Sequence, residues 1–309
     1  MEENIIIKII YIFGIFTFIK LIISMFKLIY RHFILREVDF KKKYGDGWCI
    51  ITGGSSGIGF SYAKQFLKRK FKILLISSNI ENLKNAKESL LNLYPNSIIE
   101  ILAYNLAESF DQNKCDDLKS KINEKIKNEE ISILINNAGS GKSKYFSKTN
   151  VDAINYGINI YAISVVFMTK ICMENMLKRI NCKSLVIQSG SLLGKMRLQN
   201  FCIYSASKSF VEAFNCVLSI ENLNKIDFSY IEIGPVDTKL NISDMGFKIS
   251  PDEHAEKAIK FMGNYEFSGP VCLTHEFVKF IFFLPFVKRL LVKKGEKVFP
   301  KTNLNKKNQ

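Results

Sequence analysis

Histidine, acidic residues and paired cysteines are scarce in this chain, and each shortage removes a class of function. The three histidines, His32, His254 and His275, lie far apart with no metal-ligand spacing, so no metal centre is expected. Seven cysteines, at positions 49, 115, 172, 182, 202, 216 and 272, form no C-x-x-C pair and leave an odd total, which favours a reducing compartment over a disulfide framework. A P-loop is missing too. Gly139-Ser140-Gly141-Lys142-Ser143 looks like the end of one, but the pattern needs glycine five residues before Gly141, and position 136 is Asn. No repeat or low-complexity segment interrupts the chain, and 47% hydrophobic with 12% aromatic residues excludes wholesale disorder.

The acidic deficit, 29 Asp+Glu against 44 Lys+Arg, gives a net charge of +15 that would attract a polyanion or anionic lipid. Its placement decides between them. Residues 1–46 carry eight basic and five acidic side chains, residues 276–309 carry nine and two, and both ends are rich in Phe, Ile and Leu. Basic residues flanking apolar stretches read as membrane-facing ends, so a membrane is an expected partner and nucleic acid is not.

At the N-terminus, Ile5 to Ile29 is almost wholly apolar and lacks a small-residue cleavage site, which makes it a retained anchor rather than a cleaved signal peptide. Lys8, Lys20 and Lys27 interrupt it. The longest uncharged run, Ile9 to Ile19, is about 16 Å of helix against roughly 30 Å of hydrocarbon, so spanning and lying in the interface both stand. A spanning helix with the basic cluster behind it puts the following domain in the cytosol. Near the other end, Phe277 to Val292 is broken by Lys279, Pro285, Lys288 and Arg289, and reads as an interfacial segment, with a buried C-terminal helix as the alternative. The last residues, Lys306-Lys307-Asn308-Gln309, look like the dilysine retrieval signal of endoplasmic-reticulum membrane proteins.

In between, short β-branched runs alternate with longer amphipathic ones. Strands are expected at Trp48 to Thr52, Lys72 to Ser77, Ser97 to Ala103, Ile131 to Ile135, Ser184 to Gln188 and Asp227 to Ile233, with helices between them. The fold class is α/β, a Rossmann-type doubly wound parallel sheet. The expected organisation is an anchor and basic linker over 1–46, a catalytic domain over 47–275 with a substrate loop at 236–265, and a membrane-associated tail over 276–309.

The first strand runs into Thr52-Gly53-Gly54-Ser55-Ser56-Gly57-Ile58-Gly59 and then a helix. Glycines there serve a tight turn, close backbone approach to a pyrophosphate and close helix packing, with the helix N-terminus supplying N–H donors. Asn136-Asn137-Ala138-Gly139 closes the fourth strand and Gln188-Ser189-Gly190-Ser191 the fifth. Tyr204-Ser205-Ala206-Ser207-Lys208 sets a phenol and an ammonium one helical turn apart on one face, where the cation can favour the phenolate. Ligand groups in open α/β sheets gather at the carboxyl ends of strands, and three strands deliver these motifs to one edge.

In that order and spacing, Thr-Gly-x-x-x-Gly-x-Gly, Asn-Asn-Ala-Gly, Ser and Tyr-x-x-x-Lys resemble the short-chain dehydrogenase/reductase family, over roughly residues 46–270. The resemblance implies that Tyr204 is the acid/base, that Lys208 lowers its pKa and holds the nicotinamide ribose, and that Ser191 hydrogen-bonds the substrate oxygen, with Ser189 as the lesser alternative. Asn159 matches the asparagine that organises a proton-relay water. The cofactor side is implied to comprise Gly53, Ser55, Ser56, Gly57, Ile58 and Gly59 of the glycine loop, Ser78 after the second strand and Asn105 near the adenine. It continues with Asn137, Ala138, Gly139, Tyr204 and Lys208, and with Gly234, Val236 and Thr238 of the turn Ile233-Gly234-Pro235-Val236-Asp237-Thr238. The second strand ends Ile76-Ser77-Ser78-Asn79 with no acid to hold a ribose 2′-hydroxyl, which favours NADP(H) over NAD(H).

Within the family, the apolar N-terminal segment, Tyr44-Gly45-Asp46, Gly59-Phe60-Ser61-Tyr62-Ala63, the run Tyr204 to Val211 and the basic tail look most like the very-long-chain 3-oxoacyl-CoA reductase and 17β-hydroxysteroid dehydrogenase group. That implies reduction of a lipid ketone, 3-oxoacyl-CoA first, at the endoplasmic reticulum membrane, by a homodimer formed through the helices bearing Asn159 and Tyr204. Reduction of 3-ketodihydrosphingosine or of a 17-ketosteroid is the alternative within the family, and a non-catalytic cofactor-binding scaffold the alternative outside it.

Overall fold

The computed structural model describes residues 2–141, 144–222, 224–238, 247–264, 269–284 and 287. Lys142 and Ser143, residues 239–246 and 265 of the expected substrate loop, residues 285–286 and 288–292 of the expected interfacial segment, and the terminal Lys306-Lys307 lie outside them. The chain divides into two compact units, Met1–Arg36 and Glu37–Gln309.

The first unit is helix α1 (Glu2–Ile29) followed by a π-helical turn, Tyr30–Ile34. Its apolar side chains from Ile5 to Ile34 are exposed all round, and the helix is long and apolar enough to cross a membrane by length and composition. The Lys20 ammonium folds back 4.7 Å from the centroid of the Phe16 ring, one turn away, which shelters its charge against an aromatic face.

The second unit is built on six parallel strands, β1 (Trp48–Thr52), β2 (Lys72–Ser77), β3 (Ile99–Ala103), β4 (Ile131–Asn136), β5 (Ser184–Ser189) and β6 (Ile226–Ile231), in the order β3-β2-β1-β4-β5-β6. The strands are buried runs such as Trp-Cys-Ile-Ile-Thr and Ile-Ser-Ile-Leu-Ile-Asn, as a sheet covered on both faces requires. The strand order reverses between β1 and β4, and that switch point is where an open α/β sheet forms its ligand crevice. The intervening helices are α3 (Gly57–Lys68), α4 (Ile80–Leu93), α5 (Gln112–Lys125), α6 (Val151–Ile158), α7 (Ser164–Met176), α8 (Leu192–Met196), α9 (Cys202–Glu221), α10 (Pro251–Ile259) and α11 (Leu273–Phe283), after the short α2 (Phe40–Tyr44). Most start on a side-chain cap: Asn79, Asp111, Asn150, Ser191 and Ser250 each accept a hydrogen bond from a backbone N–H of the first turn.

Two expected boundaries are corrected. Residues 37–46 are part of the sheet unit rather than a linker. The carbonyl of Tyr44 accepts hydrogen bonds from the buried Arg179 at 2.7 Å and Ser132 at 2.6 Å, its hydroxyl donates to Asp227 at 2.9 Å, and Lys43 and Lys183 pair with the same carboxylate. The segment 236–265 is not a loop throughout. Ser250 caps α10 with Pro251 in its first turn, and α10 packs on α3 through Ser61–Asp252 at 2.6 Å and Tyr62–His254 at 3.0 Å, burying Ala255, Ala258 and Ile259.

Candidate active site

Gly53 turns the chain at the end of β1 with φ +65°, a left-handed conformation that favours glycine. Gly59 is fixed by contact instead: a Cβ there would overlap the Gly53 carbonyl and come 2.7 Å from Asn137 Nδ2. The cradle is held from β4, since the Thr52 hydroxyl accepts from the backbone N–H of Asn137 at 2.9 Å and of Ala138 at 3.1 Å. Ser56 precedes α3 without a side-chain cap, which leaves the helix N-terminus and its positive potential open to an anion. Ser55 donates to Ser77 at the end of β2 at 3.1 Å, and Thr238 lies over Gly57, with its Cγ2 3.4 Å from where a Cβ would stand. These contacts bring Gly53, Gly59, Asn137 and Ala138 together at the carboxyl ends of β1 and β4, with Thr238 against Gly57.

Ser191 follows β5 and caps α8, its hydroxyl accepting from Leu193 N–H at 3.2 Å. Tyr204 and Lys208 stand one turn apart on α9, and the Lys208 ammonium is 5.8 Å from the Tyr204 ring centroid. Burial pushes the Tyr204 phenol above its ordinary value, with the hydrogen bond from Ser191 acting the other way. The Lys208 ammonium donates to the Ser189 carbonyl at 2.6 Å, and burial pulls its own pKa from 10.5 down to about 8. Ser189 thus supplies a backbone anchor, its side chain turned to Asn137 at 3.4 Å, while Ser191 faces the phenol.

Asn159 opens a π-helical turn, Asn159–Ile163, between α6 and α7, and such bulges recur at functional positions. Its Nδ2 donates to the Ala107 carbonyl at 3.2 Å, and the Ala107 N–H donates to the Asn105 side chain at 3.1 Å. Two expected site residues thus meet on one alanine. Ser78 is exposed at the end of β2, and Asn79 beside it is committed to capping α4. Val236 is buried, and its turn is held by Asp237 N–H to Ile249 C=O at 2.9 Å and Ile249 N–H to Pro235 C=O at 3.2 Å.

Several residues of the site carry no sequence motif. Tyr161 packs edge-on against Tyr204 with centroids 4.8 Å apart, its hydroxyl hydrogen-bonds Ser140, and burial pushes it up to about 12. His275 of α11 packs against Gly234, and its Nε2 is 3.2 Å from the Phe247 carbonyl. Tyr230 of β6 puts its hydroxyl 3.4 Å from both the Ser191 nitrogen and the Lys208 carbonyl. Glu232, just beyond β6, is fully buried and carried one usable signal, an acid inside the apolar run Tyr-Ile-Glu-Ile. Among the described residues, no three His, Cys, Asp or Glu side chains gather where a metal ion could sit.

Comparison with known proteins agrees with this geometry. Residues 47–245 match the short chain dehydrogenase family. The chain is 31% identical over 261 residues to a very-long-chain 3-oxoacyl-CoA reductase of Anas platyrhynchos, covering 81% of this chain and 80% of that protein. It is 28% identical over 212 residues to a human protein named inactive hydroxysteroid dehydrogenase-like protein 1, covering 67% of this chain and 61% of that one. In fold it is similar to a short chain dehydrogenase of Shigella flexneri solved with NADP, with TM-score 0.66 at 18% identity over 75% of this chain and 99% of that one.

Proposed function

The chain belongs to the short-chain dehydrogenase family, an oxidoreductase using a nicotinamide cofactor, and on that premise we propose that it reduces a lipid ketone with NADPH, 3-oxoacyl-CoA to 3-hydroxyacyl-CoA, as in very-long-chain fatty-acid elongation. The observation that carries this reading is the convergence of Ser191, Tyr204 and Lys208 beside the glycine cradle, in a chain that matches a reductase of that name over four-fifths of its length. The cofactor fits the residues present. The backbone of Gly53 to Gly59 at the open end of α3 would hold its pyrophosphate, the turn Gly234 to Thr238 its amide side, and Lys208 its ribose. Ser78, exposed and uncharged, leaves room for a 2′-phosphate where a carboxylate would repel one, which supports NADPH.

When bound, the nicotinamide supplies a hydride to the carbonyl carbon. The protein does the rest. Ser191 donates a hydrogen bond to the carbonyl oxygen as negative charge builds there, and Tyr204 gives that oxygen its phenolic proton, leaving a phenolate that the Lys208 ammonium stabilises. Asn159, fixed on Ala107 at the π-turn, organises the water that returns a proton to the site.

The helix over Ile5–Ile34 anchors the protein in the endoplasmic reticulum membrane with the sheet unit on the cytosolic side, where an acyl-CoA is found. The apolar side chains Phe210, Val217 and Ile220 exposed on α9 suit a homodimer through that helix.

The test is turnover by the purified chain with 3-oxoacyl-CoA, 3-ketodihydrosphingosine and estrone, each with NADPH and with NADH. The 3-oxoacyl-CoA with NADPH is expected to give the highest kcat/KM. Tyr204→Phe is expected to slow it at least a hundredfold. A Tyr204→Phe enzyme that keeps most of its rate refutes the mechanism, and preference for another ketone refutes the substrate.

A further inference from the structure

Glu232 is fully buried one residue beyond β6, a costly place for a carboxylate unless it is paired. Its partners come from two helices. Lys279 of α11 reaches Oε2 at 2.7 Å, and Lys195 of α8 approaches Oε1 at 3.4 Å, an ion pair without a hydrogen bond. Lys195 pairs in turn with Glu212 of α9 at 2.9 Å. Burial works against the Lys195 charge, but the two carboxylates outweigh it and raise its pKa. The charges therefore run in one chain from α11 through Glu232 to α8 and on to α9.

Each link touches an element of the reacting set. Ser191 caps α8, four residues before Lys195, and Lys208 precedes Glu212 by one turn of α9. The backbone ties Glu232 to Ser191 as well: Gly190 N–H donates to Ile231 C=O and Leu192 N–H to Ile233 C=O, both at 2.9 Å, so the two residues lie on paired segments. At the far end, α11 holds His275 against Gly234 of the cofactor turn.

We propose that Glu232 is a positioning residue whose buried carboxylate locks α11 and α8 onto α9, so that the seating of α11 sets the approach of Ser191 to Tyr204. This rests on the assignment of Ser191, Tyr204 and Lys208 as the reacting set. Removing the charge takes the carboxylate from Lys279 and leaves Lys195 held by Glu212 without its tie to β6, and both α8 and α11 then loosen together. Removing Lys279 alone frees α11 while Lys195 keeps Glu232.

The experiment compares the full chain with Glu232→Gln, Lys279→Gln and the double variant. We expect Glu232→Gln to lower kcat for 3-oxoacyl-CoA at least tenfold, with the Kd for NADPH within twofold of wild type. Amide exchange should rise together in peptides covering 192–196 and 273–283. Lys279→Gln should give a smaller fall, and the double variant should be no slower than Glu232→Gln, because both changes act on one link. A Glu232→Gln protein that loses stability but keeps kcat within twofold overturns the proposal, since the residue is then merely structural. Exchange that rises in α11 and not in α8 overturns it too. If Glu232→Gln does not fold, Lys195→Gln and Lys279→Gln carry the test, and unchanged kcat and α8 exchange in both refutes it. If the wild type does not reduce 3-oxoacyl-CoA, the proposed substrate is refuted, while the exchange experiment still decides the role of Glu232.

Discussion

Replacing Lys208 by Met is expected to separate stability from catalysis. Lys208 is 5% exposed, and burial pulls its pKa from 10.5 to about 8. At 1.36 kcal/mol per pKa unit, keeping this charge protonated in the folded state costs roughly 3 kcal/mol of stability at pH 7. A base whose folded pKa lies below its unfolded one costs stability in full below pH 8, and the cost fades as pH rises from 8 towards 10.5, where the unfolded chain also releases its proton. Methionine keeps most of the stem and removes the charge, but it abandons the Ser189 carbonyl, a buried acceptor whose loss costs about 1–3 kcal/mol at any pH. These two effects oppose each other at pH 7. The pH-independent one cancels when pH values are compared, so the stability of the Met variant relative to wild type should fall by about 2.5 kcal/mol between pH 7 and pH 10, roughly 5–10 °C in Tm. Thermal unfolding of both proteins in the same detergent, followed by circular dichroism, measures it. A difference in Tm that is the same at both pH values refutes the reasoning. In the same pH range the wild-type kcat/KM should fall with an apparent pKa of about 8 as Lys208 loses its proton, and Lys208→Met should be inactive throughout.

Two further substitutions test the cofactor side. Gly59→Ala places a methyl against the Gly53 carbonyl and 2.7 Å from Asn137 Nδ2, so the Kd for NADPH by fluorescence titration should rise at least tenfold; binding within threefold of wild type would contradict the cradle. Ser78→Asp puts a carboxylate at the end of β2, where it repels a 2′-phosphate and accepts from a 2′-hydroxyl, so the ratio of kcat/KM with NADPH to that with NADH should fall tenfold or more; an unchanged ratio would place the adenosine ribose elsewhere.

What the sequence reveals and what it conceals divide along the range of the forces involved. β1 and β2 are found at the expected residues because buried parallel strands are short apolar runs whose ends are marked by turn residues. β3 starts at Ile99 rather than Ser97 because Ser97 N–H closes a turn onto the Tyr94 carbonyl. α10 was hidden within an expected loop although Ser250-Pro251-Asp252-Glu253 is a local helix start, and that signal was there to be read. The glycine cradle and Tyr204–Lys208 are legible because one turn or one helix turn fixes their geometry. Tyr161, Tyr230, His275 and the lysines around Glu232 reach the site from elements far apart in the chain, and spacing along the sequence cannot encode such meetings. The pKa of Tyr204 belongs to the same class, since its direction depends on burial supplied by the whole fold.

That direction bears on which way the proposed reaction is suited to run. A reductase needs its acid protonated before hydride arrives. A phenol raised above its ordinary value by burial is loaded across the physiological range, whereas one depressed towards neutrality would be partly spent. The penalty is a weaker acid, and the site offsets it on the product side. Lys208, protonated below about pH 8, stands one helix turn from the phenolate formed, and burial strengthens the attraction between the two charges. Dehydrogenation would start from that phenolate instead, which the apolar surroundings of Tyr204 disfavour until Lys208 alone compensates. Burial thus favours the protonated phenol with which the proposed reduction begins, and in that reading the charge chain through Glu232 seats Ser191 beside it.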